Sequence, residues 1–320
     1  MFVYSARYSV DIGTHVFRTD KYAKLYRCLV EEEHVPGSLF LEPEPLAEAD
    51  ALRVHTYEYL SDLQGGMHTA RTMRSELPLS REIVQGFFLS AGGTLLAGRE
   101  ALRSGWAMNL SGGFHHAFPD HAEGFCYLND VAIAVQTLLD EGLVARVLIC
   151  DLDLHQGNGT AFIFQSRPEV FTFSMHQEEL YPVKEKSDLD IGLPVGVGDR
   201  EYLSLLRRHL PGIVESHRPE MIYYLAGVDP YEGDQLGYLG LTAQGLRDRD
   251  RFVIQLARQA AIPLAVVLAG GYALDVRETV ELHLNTCREL LDRRMQFALG
   301  QFDGWIQSLD VWVEDVNGPK

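Results

Sequence analysis

Residues 147–160 read VLICDLDLHQGNGT, and this stretch decides the fold class. The run at 147–150 is apolar throughout and has the length of a strand that is buried on both faces of a sheet. Polar residues follow it at once, with Asp151, Asp153 and His155 in alternating positions. Strands without a polar face are typical of parallel sheets, so the stretch predicts an α/β protein.

Similar apolar runs recur along the chain, and segments with helical spacing lie between them. Gly142 is placed to end one of these helices, and Thr242 is a suitable N-cap for another. The alternation predicts a parallel sheet that is covered by helices on both faces. The predicted strands are 106–110, 147–150, 170–173, 221–225 and 264–268, and the predicted helices are 127–142, 202–210 and 242–260.

Open parallel sheets bind ligands beyond the carboxyl ends of their strands, so the residues after each apolar run carry most information about function. Nearly all the candidate His, Asp and Tyr side chains occur there, and the sequence therefore predicts a polar site at one edge of the sheet. The five segments are SGGFHHAFPD after residue 110, DLDLHQGNG after 150, SMHQ after 173, AGVDPYEGD after 225 and AGGYA after 268.

Three of these side chains suit a metal ion. In an extended segment alternate residues point to one side, so Asp151, Asp153 and His155 can converge and make one carboxylate and one imidazole available to a metal. Asp229 at the end of another strand can supply the third ligand. Two carboxylates and one imidazole leave a coordination position open, which is typical of a catalytic site. Zn²⁺ fits this ligand set, and so does Fe²⁺. An acidic loop that solvates a strand end is the alternative interpretation.

A histidine pair and a tyrosine complete the candidate site. His115 and His116 follow two glycines that allow a tight turn, and a histidine near the metal can act as general base. Asp151 and Asn158 are the natural partners that would fix the tautomers of the two imidazoles. The phenol of Tyr272 could stabilise an oxyanion. In addition, Phe114 and Phe125 flank the pair and could form the walls of a narrow channel, although core packing is the commoner use of a phenylalanine.

Composition limits the class of partner. The 320 residues carry a formal net charge of −17, which disfavours unaided nucleic-acid binding and would attract cationic substrates, or serve solubility alone. The four scattered cysteines suggest reduced, structural thiols, and no segment has the composition of a signal peptide or a membrane span. A cytoplasmic protein with a single domain over residues 1–320 is expected.

The motifs GGFHHA, GFCYLNDVAIA, DLDLHQGNGT, AGVDPYEGDQLG and AGGY occur in the order found in histone deacetylases, and THVFRTDKYAKL resembles the opening of that family. The resemblance implies the arginase/deacetylase fold, with three layers and a central parallel sheet of about eight strands. It also implies an enzyme that hydrolyses linear amides and releases acyl groups from lysine side chains.

The resemblance assigns a role to each matching residue. It makes His116 the general base, His115 an electrostatic partner that pairs with Asp151, Asn158 the support of His116, and Tyr272 the phenol that polarises the carbonyl. The remaining assignments are Asp153, His155 and Asp229 as zinc ligands, Gly124 and Phe125 as channel residues, and Asp151, Asp153, His155, Ser174 and Met175 as holders of a structural K⁺. Phe114 and Leu236 are further candidate channel residues.

Two departures from the common family pattern bear on specificity. Gln156 stands where a second histidine is usual and Asn158 where an aspartate is usual, and HQGNG is similar to class IV deacetylases. Because members similar to class IV include enzymes that remove long fatty-acyl groups, acetyl or longer acyl chains are expected. Three alternatives are an acetylpolyamine amidohydrolase with a small acylated amine as substrate, an arginase-like dinuclear manganese hydrolase, and an inactive protein that binds acyl-lysine. The oligomeric state is left open.

Overall fold

The computed structural model describes residues 1–291, which form one sheet with helices around it. The strands, all in parallel pairs, have the order β2-β1-β3-β8-β7-β4-β5-β6 within the described residues. They are β1 (Phe2–Val3), β2 (Phe40–Leu41), β3 (Trp106–Asn109), β4 (Val147–Asp151), β5 (Val170–Gln177), β6 (Leu189–Leu193), β7 (Met221–Leu225) and β8 (Leu264–Val267).

The helices pack on both faces of this sheet. They are α1 (Asp20–Glu31), α2 (Glu48–Ala51), α3 (Tyr57–Gln64), α4 (Arg81–Ser104), α5 (Asp130–Asp140), α6 (Asn158–Phe164), α7 (Asp199–His217), α8 (Ala243–Gln259) and α9 (Val276–Leu291). The prediction of an α/β protein with a central parallel sheet of eight strands and three layers is confirmed.

Alternation along the strands divides the core into two. In β4, Val147 and Ile149 join one cluster of buried side chains, and Leu148 and Cys150 join the other. Helices α4 and α5 contribute to the first cluster, and α1, α7, α8 and α9 contribute to the second. The residues of β4 that face these two clusters are apolar, and the polar residues begin at Asp151, the last residue of the strand.

The register of the sheet brings the strand ends together. Asp151 is aligned with Ser174 of β5 and with Leu225 of β7, and Leu225 is in turn aligned with Val267 of β8. The five strands predicted from the sequence are the contiguous centre of the sheet, in the order β3-β8-β7-β4-β5. The segments that follow β3, β4, β7 and β8 therefore share one edge, as predicted, whereas SMHQ at 174–177 does not follow a strand, because β5 extends beyond the predicted 170–173 to Gln177.

Some element bounds differ from the predicted ones. Helix α5 is shorter than the predicted 127–142 because the side chain of Asn129 accepts from the amide of Ala132 and begins the helix there. The side chain of Thr242 accepts from the amide of Gly245 and caps α8 as predicted. Within residues 1–291 no helix is long and apolar enough to cross a membrane. The predicted domain extends to residue 320, and its last part lies outside the described residues.

Candidate metal centre and active site

Three side chains beyond the ends of β4 and β7 converge on one point. Asp153, His155 and Asp229 are buried, and each offers a ligand atom within 4.8 Å of the others. The Nδ1 atom of His155 lies 3.3 Å from Oδ1 of Asp153 and 3.2 Å from Oδ2 of Asp229. The structure therefore brings together the three residues that the sequence predicts as metal ligands.

Backbone groups hold both carboxylates in place. The amide of Gly270 donates to Oδ2 of Asp153 at 2.7 Å, and the amide of Leu154 donates to Oδ1 of Asp229 at 2.9 Å. The backbone approaches so closely at Gly270 that an added Cβ would lie 2.1 Å from Oδ2 of Asp229. A glycine is required there for steric reasons, which explains the first glycine of the GGY motif.

The electrostatics of this cluster suit a cation. Burial and the neighbouring charge of Asp153 raise the pKa of Asp229 to about 6, because two carboxylates in so small a volume repel each other. A divalent ion would relieve that repulsion, and one imidazole with two carboxylates is a donor set that Zn²⁺ and Fe²⁺ accept. The residues present therefore fit a catalytic metal ion.

His115 lies beside this cluster and has a carboxylate partner. Its Nδ1 is 2.7 Å from Oδ2 of Asp151, and its Nε2 is 3.1 Å from Nε2 of His116. Although burial alone would lower it, the pKa of His115 is raised to about 9 by the charges of Asp151 and Asp153. His115 is thus the more basic member of the pair.

His116 has an amide partner instead. Its Nδ1 lies 2.8 Å from Oδ1 of Asn158 at the start of α6. Burial, followed by the charges of His115 and His155, holds the pKa of His116 well below its ordinary value. A neutral imidazole with one nitrogen bound to Asn158 can present the lone pair of the other nitrogen to the cleft.

The loop that carries the pair is fixed by buried polar groups. The amides of Gly113 and Phe114 donate to the Asp130 carboxylate at 3.0 and 2.7 Å. Gly113 has a φ of +84°, and an added Cβ would lie 2.7 Å from Cα of Ala269. Asn129 donates through Nδ2 to the carbonyl oxygens on either side of His116. These contacts give the imidazoles little freedom, as an active site requires.

Tyr272 lines the same cleft as the histidine pair. Its amide donates to Oδ2 of Asp234 at 2.7 Å, and Oδ1 of the same carboxylate accepts from the amide of Leu236. The Nζ atom of Lys21, a fully buried lysine, lies 5.6 Å from the centre of the Tyr272 ring and 3.3 Å from the carbonyl oxygen of Ala269. Asp234 and Lys21 were not predicted as site residues.

Aromatic side chains form the cleft above the metal cluster. Phe114, Gly124 and Phe125, the channel residues expected from the sequence, line it together with Phe17. Leu236 is half-buried against the core cluster that contains Phe114, and it is absent from the described residues that line the cleft. Phe125 has a φ of +64°, so its ring is presented by a backbone conformation that is unusual for a non-glycine residue.

Tyr181 is a site residue that the sequence did not reveal. Its ring centre lies 5.4 Å from that of His116 and 6.2 Å from that of His155, and an added Cβ on Gly124 would lie 2.6 Å from its hydroxyl. The residue belongs to the loop between β5 and β6, where no spacing or alternation marks it. Only a structure identifies it.

The predicted potassium-binding residues lie around the ends of β4 and β5. Asp151 and Ser174 are aligned across these strands and line one small cavity of about 10 Å³, and Met175 follows Ser174 in the strand. Asp153 and His155 continue the chain beyond Asp151. The hydroxyl of Ser174 also lies 2.8 Å from Nδ1 of His176.

Known proteins resemble the chain over most of its length. The model of the histone deacetylase domain matches residues 15–287. An uncharacterised protein of Picosynechococcus sp. is 42% identical over 271 residues, which cover 84% of this chain and 90% of that protein. Histone deacetylase 2 of Arabidopsis thaliana is 30% identical, with coverage of 84% and 74%, and a probable deacetylase of Methanothermobacter thermautotrophicus is 33% identical, with coverage of 81% and 81%.

The fold has a counterpart among solved structures. The crystal structure of the HDA15 HD domain superposes with a TM-score of 0.76 at 23% identity, covering 91% of this chain and 88% of that chain. This likeness concerns the fold, and the family rests on the domain match and on the relatives of 30% identity or more. The chain belongs to the histone deacetylase family of amide hydrolases.

Proposed function

We propose that this protein hydrolyses the amide of Nε-acyl-lysine side chains with one divalent metal ion held by Asp153, His155 and Asp229. Zn²⁺ is the first candidate for this ion. The observation that carries the proposal is the convergence of these three ligand atoms within 4.8 Å at the base of the cleft. His116 and Tyr272 line the same cleft. Fe²⁺ would suit the same donors.

The bound ion would act as a Lewis acid that polarises the substrate carbonyl and acidifies water. His116 is the general base: Asn158 occupies its Nδ1, and its Nε2, which also lies 3.1 Å from Nε2 of His115, is the nitrogen that accepts a proton from water. The same Nε2 then donates that proton to the departing lysine amine. His115, held by Asp151, stabilises the charge that develops beside it.

Tyr272 acts on the other side of the reacting carbonyl. Its phenol donates a hydrogen bond to the carbonyl oxygen as negative charge develops there. The backbone of Tyr272 is fixed by Asp234, and the ring lies 6.0 Å from that of Phe125 and 5.6 Å from Nζ of Lys21. Preorganisation of this kind lowers the reorganisation needed in the transition state.

The shape of the cleft supports a linear substrate with a small acyl group. The cleft has a volume of about 20 Å³, the space of one or two water molecules. Phe17, Phe114 and Phe125 surround it, which suits the methylene chain of a lysine. We therefore expect acetyl-lysine to be turned over faster than decanoyl- or myristoyl-lysine. The net charge of −17 favours approach of lysine-rich chains.

A structural K⁺ at Asp151, Asp153, His155, Ser174 and Met175 is part of the proposal. The cavity between Asp151 and Ser174 supports it. The similarity to class IV is also part of the proposal and rests on Gln156 and Asn158. Gln156 is buried and donates to the carbonyl oxygen of Glu185 and to the Asp190 carboxylate.

A hydrolysis panel on zinc-loaded protein tests this function. The substrates are acetyl-, decanoyl- and myristoyl-lysine peptides together with acetylated polyamines. Turnover of peptides, with acetyl-lysine first, supports lysine deacylation. Turnover of polyamines alone would contradict the lysine assignment and indicate a polyamine amidohydrolase, and an absence of turnover on every substrate would contradict the proposed chemistry.

A further inference from the structure

A second carboxylate lies behind the amide that supports His116. Oε1 of Glu123 accepts a hydrogen bond from Nδ2 of Asn158 at 2.9 Å, and Oδ1 of Asn158 is 2.8 Å from Nδ1 of His116. The three side chains are buried, with Glu123 8% exposed. Glu123 is therefore connected to the imidazole through one amide group.

The contact with Glu123 determines which way the amide of Asn158 faces. A carboxylate can accept hydrogen bonds but cannot donate them. The same holds for the carbonyl oxygen of Val183, which lies 3.4 Å from the same Nδ2. The NH₂ group must therefore face Glu123, which leaves Oδ1 for His116. Because Oδ1 only accepts, Nδ1 of His116 must carry the proton, and Nε2 is left with the lone pair that a general base needs.

The carboxylate is itself held in place and kept ionised. Nη2 of Arg74 donates to its Oε2, and Nε2 of His121 lies 3.5 Å from the same oxygen. Burial opposes ionisation, but the nearby His121, the hydrogen bond from Asn158 and the charge of Arg74 hold the pKa of Glu123 below its ordinary value. The backbone of Glu123 pairs with Cys126 in both directions, so the side chain is not needed to form this turn.

We infer that Glu123 is a positioning residue for the hydrolysis, which orients the amide of Asn158 and so fixes the tautomer of His116. This inference rests on the proposed role of His116 as general base. The usual family pattern has an aspartate at position 158, in direct contact with the histidine. In this chain the carboxylate of Glu123 acts on His116 through Asn158 instead. Arg74 and His121 lie beside the other oxygen of the Glu123 carboxylate, Oε2.

The first test compares Glu123→Gln and Glu123→Ala with the parent on the substrate that the parent turns over. We expect kcat to fall about 10-fold for Glu123→Gln and further for Glu123→Ala, the range found when groups behind an active-site histidine are removed. KM should stay within about twofold, since no substrate contact is lost. Glu220→Gln is the matched control, because Glu220 is also a paired glutamate, bound to Arg146 and the amide of Ala145.

A second background separates positioning from a general effect on the fold. Asn158→Asp places two carboxylates in contact, which disfavours the charged form of both. In that background Glu123→Gln should raise kcat, although it lowers kcat in the parent. A fall by the same factor in both backgrounds would show that Glu123 does not act through Asn158, and it would overturn the inference.

The tautomer can be read without any turnover. In metal-free protein, the ¹⁵N shifts of the His116 ring, assigned with His116→Ala, should show a proton on Nδ1. Glu123→Ala should give a mixture of tautomers, because the amide of Asn158 is then free to turn over. An unchanged Nδ1–H tautomer in Glu123→Ala overturns the inference. If the parent hydrolyses nothing, the proposed function fails, and this measurement still decides the role of Glu123.

Discussion

His115 and His116 are neighbours in the chain with different surroundings. His115 contacts the Asp151 carboxylate directly at 2.7 Å, whereas His116 contacts the amide of Asn158 at 2.8 Å and reaches a carboxylate only through that amide. Burial lowers the pKa of both rings, but the charges of Asp151 and Asp153 raise that of His115, whereas that of His116 stays lowered. Two side chains of one type are thus suited to different tasks by their partners.

The difference shows how a buried site can hold one imidazole charged and the other neutral. The Nε2 atoms are only 3.1 Å apart, so two protonated rings would repel each other strongly. A direct carboxylate favours the proton on His115, and the neutral amide leaves His116 free to exchange one. The proposed division into an electrostatic histidine and a general base follows from this asymmetry.

Removal of each imidazole should give unequal losses. His116→Ala is expected to lower kcat by roughly 10²–10⁴-fold, because general-base assistance is lost. His115→Ala should cost about 10- to 100-fold, because a supporting charge is lost but the proton acceptor remains. Steady-state kinetics at equal metal content check this, and a larger loss for His115→Ala would break the comparison.

Loss of the Tyr272 phenol can be compared with loss of the imidazoles. Tyr272→Phe should lower kcat about 10²–10³-fold, the range for loss of one oxyanion donor, while metal content stays the same. The ring and its packing on Phe125 are preserved, so the thermal midpoint should change little. A variant that turns over all acyl-lysines like the parent would contradict the role of the phenol.

Asp151→Asn makes the two histidines alike, since each then has an amide partner. The hydrogen bond to Nδ1 of His115 can persist, but its charge is lost, and we expect kcat to fall about 10-fold. The assay should contain saturating K⁺, because Asp151 also belongs to the proposed potassium site. If kcat stays at the parent value, the carboxylate beside His115 is dispensable.

The smallest expected effect concerns the stability of the fold and comes from another buried histidine, His55. His55 accepts from the amide of Asn129 at 3.0 Å and donates to the carbonyl oxygen of Phe118 at 3.0 Å, so it holds both ends of the segment that follows His116. Burial is the main reason that its pKa is lowered to about 4. In the unfolded chain His55 has its ordinary pKa of 6.5, so it binds a proton more readily there than in the folded protein. The stability of the fold therefore falls as the pH drops from 6.5 towards 4.

The free energy of unfolding should fall by about 3 kcal/mol, which follows from the difference between the folded and unfolded pKa values of His55. In His55→Gln the residue no longer titrates, and the decline between pH 6.5 and 4 should be smaller by about that amount. Denaturant unfolding at several pH values measures it. Equal pH dependence in both proteins would show that His55 is not buried in its neutral form.

The sequence reveals the centre of the sheet and the metal cluster because both follow from local order. Asp153 and His155 come from a single strand end, and Asp229 follows the neighbouring strand, so parallel pairing alone brings them together. The same applies to His115, His116 and Tyr272, which follow β3 and β8. Residues that immediately follow buried strands could therefore be predicted without tertiary information.

Other parts of the fold carry no such signal. Strands β1 and β2 have two residues each, and helix α4 contains glycines that weaken a helical pattern. Gly93 and Gly98 are needed there because an added Cβ would lie 2.0 Å from the Tyr8 hydroxyl or 1.9 Å from the Tyr223 hydroxyl. Tertiary packing thus overrides local propensity.

The same limit applies to parts of the site. Glu123 and Tyr181 lie in loops, and their contacts with Asn158 and His116 depend on how those loops fold back over α6 and β4. Neither alternation nor spacing connects them with the residues that they touch. Asn158 could be recognised as a departure from the family pattern, but the carboxylate behind it could not.

Turnover of an acetyl-lysine peptide after chelation and after return of Zn²⁺ tests metal-dependent amide hydrolysis at the cluster of Asp153, His155 and Asp229. We predict that removal of metal abolishes turnover, that Zn²⁺ restores it to the parent, and that Asp229→Ala fails to recover because one ligand is missing. Turnover that persists in protein shown to be metal-free would contradict the account.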